Sequence, residues 1–335
     1  MGGGSCGQIT LQGTLDLCYQ RSAQFYGSSK LWSDNLSEYL ARGYLSIDPY
    51  ENAFANWTKV FIPSCDGALH QGNTKNPVRY RDRQLYFRGS VITRSHLKWI
   101  DSKYNLKGAR KVVLTGLADG AIAVNSWSNY VKSLVGDASK VYSIADSGMY
   151  LDFPSIKGDN LIEKRLNNIY TLANADESTP LEECNKHNAG AEWKCLLIEN
   201  AYPYIQGRFM VLGSQYDTYA IQEILRIDCL KTGTAWWTLE GCSDSELAYI
   251  EKYRSSYRDV LSKFRAINVD LSVWSISCVN DGYAFFKLFY DNPNQKVPAK
   301  TGHTVRDIVE AFVLFDQKNV AIDEAGWPSN VGCAL

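Results

Sequence analysis

The chain has 335 residues, of which 45% are hydrophobic, and its formal net charge is −1. A chain of this length can bury a large core, either in one domain or in two smaller ones. The balanced charge gives no overall field that would favour nucleic acid or an anionic membrane, and no run of about 18 apolar residues is available to span a bilayer.

Predicted helices and strands alternate along the chain. In order they are a helix over 91–104, a strand over 111–114, a helix over 121–134, strands over 141–145 and 209–212, helices over 219–225 and 245–264, a strand over 271–278 and a helix over 305–315. This alternation predicts an α/β fold with a mostly parallel sheet and helices on both faces. Ligand sites in such folds lie beyond the carboxyl ends of strands, here after Leu114, Leu212 and Cys278.

The first of these strand ends carries a short glycine motif, G-L-A-D-G, at residues 116–120. Its strand–turn–helix setting is that of G-x-S-x-G, the turn that presents the nucleophile in α/β-hydrolases. The middle position, where a serine hydroxyl would stand, is Ala118. The sequence therefore predicts the turn without its nucleophile.

Cysteine spacing indicates an oxidising compartment. Three pairs are separated by about a dozen residues, and such short loops favour disulfides; the pairs are Cys6 with Cys18, Cys184 with Cys195, and Cys229 with Cys242. Nine cysteines are an odd number, so at least one thiol is free or pairs with another chain, and the spacing leaves Cys65, Cys278 and Cys333 undecided. His187 beside Cys184 is too isolated to predict a zinc site.

Two N-glycosylation sequons agree with a secreted protein, one at Asn35 and one at Asn56. The chain opens M-G-G-G-S-C, without the basic and apolar regions of a signal peptide. We therefore expect a mature or truncated protein that works outside the cell or in the lumen of the secretory pathway.

Several longer motifs follow one another in a characteristic order. They are G-G-G-S-C at 2–6, N-W-T-K-V at 56–60, C-D-G at 65–67, Y-F-R-G at 86–89, the glycine turn at 116–120, D-S-G-M-Y-L-D at 146–152, Q-Y-D-T-Y-A-I-Q at 215–222 and S-C at 277–278. In this order they resemble the pectin acetylesterase and Notum family of α/β-hydrolases. The resemblance implies an α/β-hydrolase fold in a single domain over residues 1–335.

The family hydrolyses esters with a Ser, His and Asp triad, and the resemblance carries its positions onto this chain. The acid falls on Asp217, the nucleophile on Ala118 and the base on Asp281. Two of the three catalytic side chains are then missing, because a methyl group cannot attack a carbonyl and a carboxylate cannot replace an oriented imidazole. The histidines elsewhere, expected in structural or surface roles, are His70, His96, His187 and His303.

The oxyanion hole falls, by the same resemblance, on the backbone N–H groups of Gly4, Ser5 and Asp119. A negative Asp119 would oppose the charge that develops on an oxyanion. In the family, strands precede the G-G-G-W-C motif, so the domain is expected to lack them. The chain is then either incomplete or covered by a partner along the open sheet edge.

These losses predict a pseudoenzyme that serves as a binding or structural module. Its old cleft would hold a glycan or acyl group, or its sheet edge and spare cysteine would contact a protein partner or a second copy. No cofactor is expected, although Asp119, Asp217 and Asp281, if they converge, would suit Ca²⁺. The alternative is a carboxylic ester hydrolase, a deacetylase of a polysaccharide or an acylated protein, with a rearranged site.

Overall fold

The fold is taken from a computed structural model, which describes residues 1–32, 42–175, 180–232, 237–268, 270–298, 301–330 and 333. The chain divides into two units, each assembled from three separate segments. The first unit comprises Met1–Asn35, Val60–Gly148 and Leu161–Arg208, and the second comprises Leu36–Lys59, Met149–Asn160 and Phe209–Leu335.

The first unit contains helices and strands in alternation. Its helices are α1 (Leu11–Ser22), α2 (Gly89–Tyr104), α3 (Asp119–Val135), α4 (Leu161–Leu172), α5 (Glu182–His187) and α6 (Ile198–Ala201). Its strands are β1 (Val78–Tyr80), β2 (Arg83–Leu85), β3 (Val112–Leu117) and β4 (Val141–Asp146). Strands β1 and β2 form an antiparallel pair, whereas β3 and β4 pair in parallel from Val112 opposite Val141 to Leu117 opposite Asp146.

The ends of the two central helices follow from local sequence. Asn105 caps the end of α2 and Gly136 caps the end of α3, and both residues adopt the left-handed conformation that terminates helices, with φ of 53° and 76°. Helix α3 is buried along most of its length, including Trp127 in its middle. A helix that is buried along most of its length belongs in the core, and α3 therefore anchors the turn that precedes it.

The second unit holds the remaining elements. Its strands are β5 (Phe209–Tyr216), β6 (Lys231–Thr232), β7 (Trp237–Thr238), β8 (Leu271–Val279) and β9 (Val320–Ile322), and its helices are α7 (Asp244–Ile267), α8 (Lys287–Tyr290) and α9 (Val305–Phe315). Strand β8 pairs in parallel with both β5 and β9. Capping boxes begin α7 at Ser243 and α9 at Thr304, because each side chain accepts a hydrogen bond from the third helical N–H.

Burial marks the central strands. Every residue of β4, β5 and β8 is buried, as expected of parallel strands that are covered on both faces. The predicted α/β architecture is confirmed, and the bounds of α9 are those predicted. The structure corrects the predicted helix over 219–225, which is a π-helix over Ala220–Ile224, and it adds α1 and α4, which the sequence pattern did not indicate. Within the described ranges no helix is long and apolar enough to cross a bilayer.

Candidate functional site

The glycine motif forms a tight turn between β3 and α3. Ala118 lies at its apex with φ of 52° and ψ of −115°, a conformation that non-glycine residues rarely adopt. Its N–H donates to the carbonyl of Asp146 at 2.9 Å, and its carbonyl accepts from Ala121 at 2.9 Å. The backbone is thus fixed in the strained form of a nucleophile turn, with a half-buried methyl group in place of a hydroxyl.

The glycines on either side of Ala118 are required by close packing. A Cβ atom on Gly116 would lie 2.1 Å from the carbonyl oxygen of Gly120, and one on Gly120 would lie 2.5 Å from the carbonyl oxygen of Met1. A Cβ atom on Gly148 would lie 2.4 Å from the Ala121 side chain. No larger residue fits at these three positions without moving backbone, so the match to G-x-S-x-G reflects the geometry of the turn.

The carboxylate of Asp119, the first residue of α3, binds the backbone at the predicted oxyanion-hole positions. The N–H groups of Gly4 and Ser5 both donate to Oδ2 of Asp119, at 3.2 Å and 2.6 Å. Burial raises the pKa of Asp119 above its ordinary value, and the two donors act in the opposite direction. Two donors expected to face an oxyanion are therefore engaged by a carboxylate of the same chain.

Arg21 supports this loop from α1. Its guanidinium packs against Gly4, whose φ is +98°, and a Cβ atom on Gly4 would lie 2.7 Å from Nη1. Nη2 donates to the carbonyl of Ser64, and the guanidinium stacks over the ring of Tyr26 at 5.2 Å. Arg21 also attracts the carboxylate of Asp119. The sequence analysis gave Arg21 no role.

The predicted acid lies in the second unit, directly after β5. Asp217 is only 5% exposed, and its Oδ1 accepts from the N–H of Ala220 at 3.0 Å. Its carbonyl also accepts from Ile221 at 3.0 Å, so Asp217 begins the helical turn that continues as the π-helix. This position beyond a strand end is the one the sequence predicted.

The predicted base position follows β8 in the same unit. Asp281 is half-buried, and the hydroxyl of Thr218 donates to its carboxylate. Burial raises the pKa of Asp281, while the Thr218 hydrogen bond lowers it less. Since Thr218 is the neighbour of Asp217 in sequence, the structure brings the acid and base positions together. Asp119, by contrast, belongs to the first unit.

Each histidine has contacts that suit a structural role. His70 is buried, with Nε2 donating to the carbonyl of Gly2 and Nδ1 2.9 Å from the hydroxyl of Thr93, and burial lowers its pKa to about 4. His187 stacks on Tyr204 with 5.2 Å between ring centroids. The backbone of His303 pairs with that of Val297, and His96 is half-buried.

The three predicted disulfides are confirmed, and a fourth joins Cys278 at the end of β8 to Cys333. Cys65 is the free thiol among the described cysteines. It is half-buried and lines a cavity of about 680 Å³ that also includes Cys18, Arg21 and His96. Burial raises the pKa of Cys65.

The calcium hypothesis gains no support, because the described residues include no group of three His, Cys, Asp or Glu side chains arranged to hold a metal ion. Of the two sequons, Asn56 is exposed in a turn, as a glycosylation acceptor must be. Asn35 lies outside the described residues.

Known proteins were compared with the whole chain. The Pectinacetylesterase family model matches residues 1–334. Pectin acetylesterases 4 and 5 of Arabidopsis thaliana are each 23% identical over 99% of this chain, covering 78% and 75% of their own lengths. The crystal structure of the Wnt deacylase Notum from Drosophila superposes with a TM-score of 0.76 at 19% identity, over 99% of this chain and 89% of that one. The fold is that of an α/β-hydrolase, and the chain belongs to the pectinacetylesterase family.

Proposed function

We propose that this chain is a catalytically inactive member of the pectinacetylesterase family that acts as a binding or structural module outside the cell or in the secretory lumen. The observation that carries the proposal is Ala118, a methyl group at the apex of a turn that keeps its strained backbone. Acyl transfer by this fold needs a hydroxyl there, because the attacking oxygen must form the new ester bond.

The engagement of Asp119 supports the same proposal. An oxyanion hole lowers the barrier by placing N–H donors where negative charge develops. Here the donors of Gly4 and Ser5 already bind the Asp119 carboxylate, so a developing oxyanion would meet a like charge instead of free donors. The loss of the hydroxyl and the engagement of the donors are independent defects, and restoring one would leave the other.

The base position supplies the third argument. Asp281 accepts a hydrogen bond from the Thr218 hydroxyl. Its carboxylate cannot act as the general base that an imidazole oriented by Asp217 would provide. The disulfides of Cys6, Cys184, Cys229 and Cys278 favour an oxidising compartment. A glycan or an acyl group in the cleft, or a protein partner or second copy on a sheet edge, is the ligand we propose for such a module.

The proposal is tested with p-nitrophenyl acetate and a fluorophosphonate probe. We expect no turnover above buffer and no labelling, for the wild type and for Ala118→Ser alone, because the latter still has Asp119 on the donors and no base. Combining Ala118→Ser with Asp119→Gly and Asp281→His should restore labelling if these three positions account for the loss. Light scattering after size-exclusion chromatography would separate a monomeric binder from an assembly subunit.

The alternative proposal is an ester hydrolase with a rearranged site, and the acetylesterase activity named for its relatives favours it. Wild-type turnover that disappears in Asp217→Asn but survives in Asp228→Asn would support it. Asp228 is exposed, so the matched variant controls for the loss of one carboxylate. That result, or active-site labelling of the wild type, would overturn the proposal of an inactive protein.

A further inference from the structure

The first unit contains a cavity that the proposed function does not use. Its volume is about 680 Å³, within the range of roughly 300–1,000 Å³ that is usual for sites that bind small molecules. Residues of α1, β2 and α2 line it, together with residues from the loops that follow α1 and precede β1, and we call it the α1–α2 cavity. Its described lining includes neither Ala118 nor Asp119, so the cavity is separate from the glycine turn.

Two guanidinium groups give the α1–α2 cavity its charge. Arg21 and Arg83 line it, and among the described residues neither forms a salt bridge. One carboxylate, that of Asp66, also lines it, and its two oxygens accept from the N–H groups of Ala68 at 3.0 Å and Gly89 at 2.5 Å. Because two cations accompany a single carboxylate, the cavity has an excess of positive charge in either protonation state of Asp66.

Both guanidinium groups keep donors that the described residues do not use. Arg21 donates from Nη2 to the carbonyl of Ser64, whereas its Nε has no hydrogen-bond partner in the described part of the chain. Arg83 donates from Nη1 to the carbonyl of Tyr19 at 3.4 Å and to the hydroxyl of Ser22 at 3.1 Å. Since an arginine presents five N–H donors in a planar fork that matches a carboxylate, these two side chains can bind a further anion.

The remaining walls of the α1–α2 cavity are largely apolar. Leu85 and Phe87 are buried, and Ile92 and Trp32 are half-buried. The indole of Trp32 is held in place because its Nε1 donates to the carbonyl of Phe25 at 2.7 Å. A ligand that fits these walls has a flat apolar body beside its charged end, because aromatic rings pack best against other rings in offset or edge-to-face contact.

We propose that the α1–α2 cavity binds a small aromatic carboxylate, whose charged end contacts Arg21 and Arg83 and whose ring packs against Trp32 and Ile92. Removing an ion from water costs more free energy as its charge rises, so buried apolar walls favour a monoanion over a phosphate dianion. The proposal does not depend on whether the glycine turn catalyses.

The charge requirement is tested by calorimetric titration of the folded protein with naphthoate, with the neutral isostere naphthamide and with naphthyl phosphate. We expect Arg83→Gln to weaken naphthoate binding by about tenfold, the effect of losing a hydrogen bond between charged groups, and naphthamide to bind the wild type weakly by a similar factor. Arg81→Gln is the matched control. Arg81 stacks on the same Tyr19 ring as Arg83, at 5.1 Å against 4.7 Å, but does not line the cavity, so this variant should bind naphthoate as the wild type does.

The position of the site is tested without removing any charge. Ile92→Trp should fill the cavity and abolish naphthoate binding, whereas Val91→Trp, at a half-buried neighbour on α2 that does not line the cavity, should leave binding unchanged. Cys65 lines the cavity, so naphthoate should slow the reaction of Cys65 with iodoacetamide in the wild type. Thermal unfolding of each variant first establishes that it is folded.

Four results would overturn the proposal. They are no binding of naphthoate to the wild type, binding of naphthamide or naphthyl phosphate as tight as that of naphthoate, equal losses within either matched pair of variants, and no protection of Cys65. Esterase assays on the same variants should be unchanged, because none of the substituted residues belongs to the glycine turn. Failure here therefore leaves the proposed function untouched.

Discussion

The strained turn at Ala118 can be tested by replacing that alanine with glycine. With φ of 52° and ψ of −115°, Ala118 holds a conformation that glycine adopts freely and other residues do not. Glycine removes the steric conflict between Cβ and the backbone and leaves the hydrogen bonds of the turn in place. The substitution therefore acts on backbone strain and on little else.

The expected gain in stability is about 1 kcal/mol. A non-glycine residue in this region costs about 1–3 kcal/mol. Glycine lowers that cost, but it also raises the conformational entropy of the unfolded chain, which reduces the free energy of unfolding by about 0.4–1 kcal/mol. It also gives up the contact of a half-buried methyl group, which contributes less than the roughly 0.8 kcal/mol of a fully buried one. Relief of strain is the largest of these effects, so the net change favours the variant.

Equilibrium unfolding in guanidinium chloride at neutral pH measures this change as a shift in midpoint at constant slope. Ala123→Gly is the matched control, because Ala123 is fully buried within α3 in ordinary helical geometry. The control should lose about 1 kcal/mol or more. If Ala118→Gly lost stability as the control does, the turn would carry no strain and our reasoning would be wrong.

Three other predictions concern buried titratable groups. The free energy of unfolding of the wild type relative to Asp119→Asn should be greatest at acid pH and should fall as pH rises through the raised pKa of Asp119. In that range the folded state holds a proton that the unfolded state has lost. A difference in thermal unfolding that stays flat across pH 3–8 would contradict this. Relative to His70→Gln, the free energy of unfolding of the wild type should fall by up to about 3 kcal/mol as pH falls from 6.5 to about 4, since only the unfolded imidazole is then protonated. A difference that does not change with pH would show that His70 is not held neutral. Iodoacetamide should modify Cys65 slowly in the native protein and faster at higher pH, because burial raises the pKa of the thiol, and Cys65→Ser should leave no reactive thiol after denaturation.

Much of the fold could be predicted from local pattern. Helix α9 has the predicted bounds because its apolar stripe and its Thr304 cap are both local signals. Strand β5 runs four residues beyond its predicted end at Leu212, through the polar stretch Gly213–Gln215. Gln215 is tolerated in the core because its amide donates to the carbonyls of Ser275 and Asp323. Those partners are distant in sequence, so no local pattern could have indicated them.

Helix α1, one of the helices that the sequence analysis missed, has a weaker signal than the predicted helices. Helix α1 is only weakly amphipathic and buries Thr14 and Cys18, although the cap at Thr10, which accepts from the N–H of Gly13, was visible in the sequence. The disulfide to Cys6 holds this helix in place. Its position depends on tertiary contacts more than on helix propensity.

The amino-acid sequence by itself determined the glycine turn, the methyl group at its apex and three of the disulfides, because each depends on residues close together in the chain. Only the tertiary structure decided that Asp119 would take the N–H groups of Gly4 and Ser5, that Thr218 would bind Asp281, and that Cys278 would pair with Cys333. These contacts join residues that are 55 or more positions apart, and their formation depends on how the strands and helices pack. Chain order predicted the positions of the family's site, and packing within each unit decided which groups bind one another at those positions.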